Sequence, residues 1–148
     1  MAERFEPKVV VVGVDGSDQS IRAAGVAAAL ARSAGAHLRI VTVVRPPEGW
    51  WGIVGSPPTA EALGDSLSNA QRNVLDRAVA QIDLEGIDYE TQEEIGDPSE
   101  QLIEVCERRN ADVLVVGRRG EGFFRRIVLG SVANHLAHEA PCPVVLVP

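Results

Sequence analysis

The chain of 148 residues is long enough for one domain, and its bulk composition excludes several classes of protein. Apolar residues make up 45% and charged residues 24%, which is ordinary globular usage, and no apolar run is long enough to span a membrane. The 14 basic and 21 acidic residues give a net charge of −7, which disfavours a general nucleic-acid binder. The sequence predicts one cytoplasmic domain over 1–148, with 1–7 as a flexible tail and no nucleic-acid or membrane partner.

Strand-like and helix-like periods alternate along the chain. Continuous β-branched runs are typical of strands buried on both faces of a parallel sheet, and apolar steps of three and four mark amphipathic helices. The predicted strands are Lys8–Val14, His37–Val44, Ile87–Ile95, Ala111–Val116 and Val144–Val147, and the predicted helices start near Ser17, Glu61, Asp97 and Gly130. Because a helix separates each strand from the next, the sequence predicts an α/β, Rossmann-like three-layer sandwich with a five-stranded parallel sheet.

Local composition marks the connections and one edge of this predicted sheet. The polar, alternating residues of Ile87–Ile95 suit an edge strand better than a central one. Asp97, followed by Pro98 and then by Glu100 at the third helical position, predicts a capped helix start. Arg45–Pro58 contains four prolines and three glycines, which predicts a loop longer than the usual connection.

Two of the predicted strands end in residues that suit a ligand site. Ligands of doubly wound sheets bind outside the carboxyl ends of the strands, where the first strand ends at Asp15 and the fourth at Gly117. From Gly117 the spacing is Gly-x2-Gly-x9-Gly-Ser, completed by Gly120, Gly130 and Ser131. Glycines let backbone amides approach an anion closely, and a helix start adds unpaired amides. The pattern predicts a phosphate cradle; the alternative is that these glycines serve only turns and helix caps.

Three motifs together resemble one known family. They are Val-Val-Gly-Val-Asp15-Gly-Ser, Ala-Asp112-Val-Leu-Val-Val-Gly-Arg-Arg-Gly120, and Leu-Gly130-Ser-Val-Ala-Asn-His with Pro-Cys-Pro-Val144 after it. From about Lys8 to Pro148 the chain resembles the universal stress protein family, in which the Gly-x2-Gly-x9-Gly-Ser spacing marks the members that bind ATP. The resemblance implies strand order 3-2-1-4-5, ATP as ligand with or without Mg²⁺, and a homodimer formed through the last strand.

The resemblance also implies which residues bind the nucleotide. The end of the first strand would lie beside the adenosine, the end of the second would give adenine a backbone contact, and the glycine loop would surround the ribose and phosphates. The implied residues beside the adenosine are Gly13, Val14 and Asp15, and Val43 is the one that would contact adenine. Around the ribose and phosphates the implied residues are Gly117, Gly120, Gly130, Ser131 and Val132, with Arg118 and Phe123 inside the loop.

Several functions are compatible with such a site. The resemblance implies a nucleotide-dependent regulatory or stress-response module that acts on an unidentified protein partner. No catalytic residue is predicted, because the loop holds no histidine and Asp15 is the only acid with a defined place, so ATP hydrolysis is expected to be slow at most. An adenylyl-transferring enzyme of the related α/β class and a cyclic-AMP-binding family member stay open. A phospho-acceptor domain would need a lysine near the last strand, and Lys8 is the only lysine.

Individual residues have structural alternatives. Asp15 could cap the turn into the first helix, and Ser131 could be an N-cap as well as a phosphate donor. The one basic cluster could neutralise a triphosphate through bidentate contacts, or it could be a solvated loop; its members are Arg118, Arg119, Arg125 and Arg126.

No metal site is predicted from the histidines or cysteines. His135 and His138 could share a helix face, but no third ligand is placed beside them. Cys106 and Cys142 match no metal-site spacing, and in a cytoplasmic protein they are expected to be reduced thiols that pack as small apolar groups.

Overall fold

A five-stranded sheet forms the middle layer, and every neighbouring pair of its strands is parallel. The computed structural model describes residues 3–45, 60–119 and 129–148, apart from the side chains of 60–67. The elements are β1 (Val9–Gly13), α1 (Asp18–Ala34), β2 (His37–Val44), α2 (Ala60–Gln81), β3 (Tyr89–Ile95), α3 (Pro98–Arg109), β4 (Val113–Gly117), α4 (Ser131–Glu139) and β5 (Val144–Val147). The order is β3-β2-β1-β4-β5, so the predicted Rossmann-like sheet is confirmed.

Strand β1 lies at the centre of the sheet and is buried on both faces. Val10, Val11 and Val12 are all 0% exposed, as the continuous β-branched run predicts. Because successive side chains of a strand point to opposite faces, Val10 and Val12 pack in the core layer of α1 and α2. Val11 packs in the other layer, with α3 and α4.

Helix α1 packs against the sheet through alanines. Its buried face holds Ala23, Ala24, Ala27, Ala28 and Ala31, each at most 2% exposed. Alanine is the best helix former and places no bulk between the helix axis and the sheet. The small side chains therefore allow α1 to lie close to β1 and β4.

The ends of α1 and α3 carry the caps that their sequences require. Ser17 is the N-cap of α1, and its hydroxyl accepts a hydrogen bond from the Ser20 amide at 3.2 Å. The predicted cap of α3 is confirmed, since an Asp97 carboxylate oxygen accepts from the Glu100 amide at 3.1 Å. Asn110 ends α3 in the left-handed conformation at φ 53°, which asparagine tolerates better than most residues.

Some boundaries differ from those predicted. Helix α2 ends at Gln81, although the apolar pattern continues to Leu84, because Leu84 packs against the core from outside the helix. Strand β4 begins at Val113, not at Ala111, because the Asp112 carboxylate instead accepts the Lys8 and Val9 amides at 2.8 and 3.0 Å.

Within the described part of the chain, no helix combines the length and the apolar character needed to cross a membrane. The sheet and its two helical layers instead bring the carboxyl ends of β1, β2 and β4 to one edge.

Candidate functional site

A cavity of about 360 Å³ opens at the carboxyl edge of the sheet. Its walls come from the ends of β1, β2 and β4 and from the first turns of α3 and α4. The residues that line this central cavity are Gly13, Val14, Asp15, Ser20, Val41, Val43, Arg45, Pro98, Leu102, Val116, Gly117, Arg118, Arg119, Gly130, Ser131, Val132 and Ala133. This is the place where open α/β sheets bind their ligands.

The structure brings most of the predicted site residues together at this cavity. Of the eleven, Gly13, Val14, Asp15, Val43, Gly117, Arg118, Gly130, Ser131 and Val132 line it. Gly120 and Phe123 lie outside the described residues, as do Arg125 and Arg126 of the basic cluster.

Eight lining residues are not among the eleven predicted site residues, although one of them, Arg119, belongs to the predicted basic cluster. They are Ser20, Val41, Arg45, Pro98, Leu102, Val116, Arg119 and Ala133. A local signal existed for Arg45 and Arg119, because each stands directly beside a predicted strand end or glycine. No local signal marks Pro98 and Leu102, because only the packing of α3 on the sheet brings them to the cavity.

Asp15 organises the turn between β1 and α1. Its carboxylate accepts hydrogen bonds from the Ser17 amide at 2.9 Å and the Ser17 hydroxyl at 2.5 Å. The Asp15 amide donates to the Ser20 hydroxyl at 3.2 Å, and Gly16 completes the turn at φ 91°. The capping role is thus observed, while the exposed Asp15 also lines the cavity.

Helix α4 points its N-terminus at the cavity without a side-chain cap. Gly130 is the N-cap, and no side chain hydrogen-bonds there. The alternative role of Ser131 as an N-cap does not hold, because Gly130 is the N-cap and Ser131 is the first helical residue. The Gly130 amide donates to the Arg118 carbonyl at 2.8 Å. The first-turn amides and the positive end of the helix dipole therefore face the cavity, as does the exposed Ser131.

Arginines supply the positive charge of the cavity wall. Arg45 forms an ion pair with Asp97 at 2.9 Å, whereas neither Arg118 nor Arg119 pairs with a described carboxylate. The Arg118 Nε is buried and hydrogen-bonds to no other described residue. Buried polar groups normally have partners, so this nitrogen is an exception within the described part of the chain.

Position 117 requires a glycine because α1 lies close to the backbone there. A Cβ at this position would be 3.2 Å from the Arg119 carbonyl oxygen and 3.2 Å from the Gln19 Cβ. The space that a side chain would need is therefore filled by the protein itself. From the sequence alone, this glycine is explained by the need for a ligand to approach the backbone.

Metal ligands are sparse in this region. Asp15 is the single carboxylate among the described residues of the cavity wall. Across the described ranges, no group of three or more His, Cys, Asp or Glu residues could hold a metal ion. The Nδ1 atom of His138 lies 2.8 Å from the carbonyl oxygen of Asn134, within hydrogen-bonding distance.

The sheet order and the position of the cavity define a Rossmann-like α/β protein with a site at its topological switch point. The sequence profile described as the Universal stress protein family matches residues 7–148. A universal stress protein of Thermus aquaticus is 36% identical over 141 residues, which cover 95% of this chain and 98% of that protein. Universal stress protein MJ0531 of Methanocaldococcus jannaschii is 30% identical over 147 residues, with coverage of 95% and 81%. The chain belongs to the universal stress protein family.

Solved structures share the fold. UspA from Lactobacillus plantarum superposes with a TM-score of 0.77 at 21% identity, covering 99% of this chain and 100% of its own. A universal stress protein in complex with cAMP has a TM-score of 0.69 at 31% identity, with coverage of 97% and 98%. The universal stress protein of Archaeoglobus fulgidus in complex with dAMP has a TM-score of 0.66 at 24% identity, with coverage of 95% and 98%.

The packing at Gly117 yields a stability prediction. Gly117→Ala should lower the free energy of unfolding without ligand by about 1–3 kcal/mol, because an added methyl group in a packed site forces its neighbours to move. The measurement is chemical denaturation of the ligand-free protein.

The control is Gly25→Ala, in the middle of α1, where an added Cβ meets no atom within 4 Å. That change should raise stability by roughly 0.5–1 kcal/mol, because alanine favours the helix over glycine. Equal stability of the Gly117→Ala variant and the unmodified protein would show that α1 does not constrain this position.

Proposed function

We propose that this protein binds ATP in the central cavity, with or without Mg²⁺, and acts as a cytoplasmic, nucleotide-dependent regulatory module in the response to stress. One observation carries the proposal: an uncapped helix N-terminus and two arginines without carboxylate partners among the described residues line the same cavity. Both features attract anions, and the protein as a whole is acidic.

The phosphates are assigned to the side of the cavity between β4 and α4. The first-turn amides of α4 and the Ser131 hydroxyl would donate hydrogen bonds to phosphate oxygens. Arg118 and Arg119, which follow β4 in the cavity wall, would neutralise phosphate charge. Asp15 could help to hold a magnesium ion that arrives with the phosphates, although it would need water or phosphate oxygens as the other ligands.

The adenosine is assigned to the apolar side of the cavity. Val14, Val41, Val43 and Leu102 line this wall. A volume of about 360 Å³ lies within the range of small-molecule sites. Apolar walls with a few polar groups at one end suit a base and sugar that carry a charged tail.

The site supports binding better than rapid turnover. Asp15 is the single acid among the described lining residues, and its carboxylate already holds Ser17. No histidine stands among the described lining residues either. Without a positioned general base, phosphoryl transfer to water gains little beyond orientation, so hydrolysis should be slow.

Cyclic AMP is a second candidate ligand. The structure of a universal stress protein in complex with cAMP is 31% identical to this chain. The amides at a helix start can donate hydrogen bonds to a single phosphate as well as to a triphosphate, so they do not discriminate between cyclic AMP and ATP. The two arginines favour the more highly charged ATP.

A homodimer through β5 is a further part of the proposal. β5 is an edge strand, and Val144, Val145 and Leu146 are half-buried within one subunit. An apolar edge strand offers unpaired backbone groups that a second copy can match. The opposite edge, β3, carries mostly polar and charged residues and is less suited to pairing.

Calorimetric titration with ATP, ADP, AMP, cyclic AMP and adenosine tests the proposed ligand. Affinity should fall in the order ATP, ADP, AMP, because each lost phosphate removes contacts with the arginines and the α4 amides. The absence of binding by all five compounds would overturn the proposal, and tighter binding of cyclic AMP than of ATP would assign the second candidate.

Arg118→Ala tests the assignment of the phosphate side. ATP affinity should fall about tenfold, as expected for loss of one charge-assisted contact, while adenosine affinity should stay unchanged. Arg72→Ala, on the exposed surface of α2 and away from the cavity, is the matched control and should leave both affinities unaltered. Equal losses for ATP and adenosine would contradict the assignment.

Analytical ultracentrifugation and amide exchange test the dimer. The expected species has twice the chain mass of 15.8 kDa. Amides of Val144–Val147 should exchange faster on dilution, as the second copy leaves, while those of Tyr89–Ile95 on the other edge should not respond. A species of single-chain mass at every concentration would contradict the dimer, and protection confined to β3 would move it to the other edge.

A further inference from the structure

The two cysteines of the chain lie together in one core layer, although they are far apart in sequence. Cys106, on α3, is 1% exposed, and Cys142, in the segment between α4 and β5, is half-buried against the same layer. Both are free, and each thiol shifts the pKa of the other, as expected for neighbouring thiols. The nucleotide site uses neither residue.

Backbone hydrogen bonds from β4 and from the residues just before it hold the two segments that carry the cysteines. The Ala111 amide donates to the Cys106 carbonyl at 2.9 Å, which fixes the end of α3 beside the start of β4. The Leu114 amide donates to the Pro143 carbonyl at 3.0 Å, which fixes the residue after Cys142 against the same strand. These two bonds hold the backbone of Cys106 and the backbone next to Cys142 against the same part of the sheet.

The surroundings decide how these thiols react. Burial, the neighbouring Cys142 and the charge of Glu107 raise the pKa of Cys106 to about 12. Burial and the charge of Asp112 raise the pKa of Cys142, against a lowering by the hydrogen bond from Cys106. The thiolate is the reactive form, so both thiols are slow nucleophiles at neutral pH. The more exposed Cys142 is the one that an oxidant reaches first.

We propose that Cys106 and Cys142 are a dithiol site for hydroperoxides, whose oxidation joins α3 to the segment before β5 through a disulfide. The Cys142 thiolate attacks hydrogen peroxide: an S–O bond forms, the O–O bond breaks, and the leaving hydroxide takes up the proton that the thiol lost on ionisation, which gives a sulfenic acid and water. The Cys106 sulfur then attacks that sulfenic sulfur, the S–S bond forms, and the S–O oxygen leaves as a second water with the released protons. Two thiols lose two electrons, and one hydrogen peroxide is reduced to two waters.

The chain segment closed by the disulfide would contain about half of the residues that line the central cavity. The chain between the two cysteines includes β4 and α4, and with them Gly117–Arg119 and Gly130–Ala133 of the cavity wall. A cross-link across a segment of this length restricts the unfolded chain, so the oxidised protein should resist unfolding better than the reduced one. This consequence does not depend on which ligand the cavity binds.

Treatment of the reduced, full-length protein with hydrogen peroxide tests the proposal. The mass should fall by about 2 Da, and both thiols should disappear from a count made in denaturant. The product should migrate as a single chain without reductant, and its thermal midpoint should rise by roughly 5–15 °C. The rate of oxidation should increase about tenfold per pH unit between about pH 7 and 8, because the thiolate fraction does.

The single variants separate the roles of the two thiols. Cys142→Ala should leave the Cys106 thiol unreacted, because it is buried, and Cys106→Ala should give an oxygen adduct at Cys142 without a disulfide. Three results with the unmodified protein would overturn the proposal: two thiols still free after prolonged exposure at pH 9, a gain of about 32 Da at Cys142 with Cys106 still reduced, or chains cross-linked to one another.

Discussion

The close contact between α1 and the sheet is the constraint on which the central cavity depends. Five buried alanines let the helix lie near β1 and β4, and the same closeness leaves no room for a side chain at Gly117. The Asp15–Ser17 turn then begins the helix at a defined height above the strand ends. A larger residue on the buried face of α1 would lift the helix, move this turn and widen the cavity.

The positive potential of the cavity depends partly on the backbone amides at the start of α4 that no side chain caps. Ser17 caps α1 and Asp97 caps α3, each with a side-chain oxygen that accepts one first-turn amide. The N-cap of α4 is Gly130, which has no side chain to accept a hydrogen bond, so the first-turn amides remain available at the cavity. The positive character of the cavity therefore comes from one uncapped helix and from Arg118 and Arg119, within a chain whose net charge is −7. An anionic ligand is favoured locally against the field of the whole molecule.

Predictions from local pattern succeeded where the cause is local. The alternation of strands and helices, the Asp97 cap and the edge position of the polar third strand were all predictable, because each depends on residues close in sequence. The alternative role of Ser131 as an N-cap could not be judged from the sequence, because the Gly130 amide is held by the Arg118 carbonyl, twelve positions away, where α4 begins.

The amino-acid sequence alone was enough to specify the α/β class and most element positions, because β-branched runs, amphipathic spacing and glycine motifs act over a few residues. Its resemblance to the universal stress protein family added to the glycine motif to give nine of the residues that line the cavity. Three features required the folded chain: the entry of Pro98 and Leu102 into the cavity wall, the reason for glycine at position 117, and the contact between Cys106 and Cys142. Each of these joins segments that no sequence period relates. Their distances are set by how helices of particular side-chain size pack on a twisted sheet.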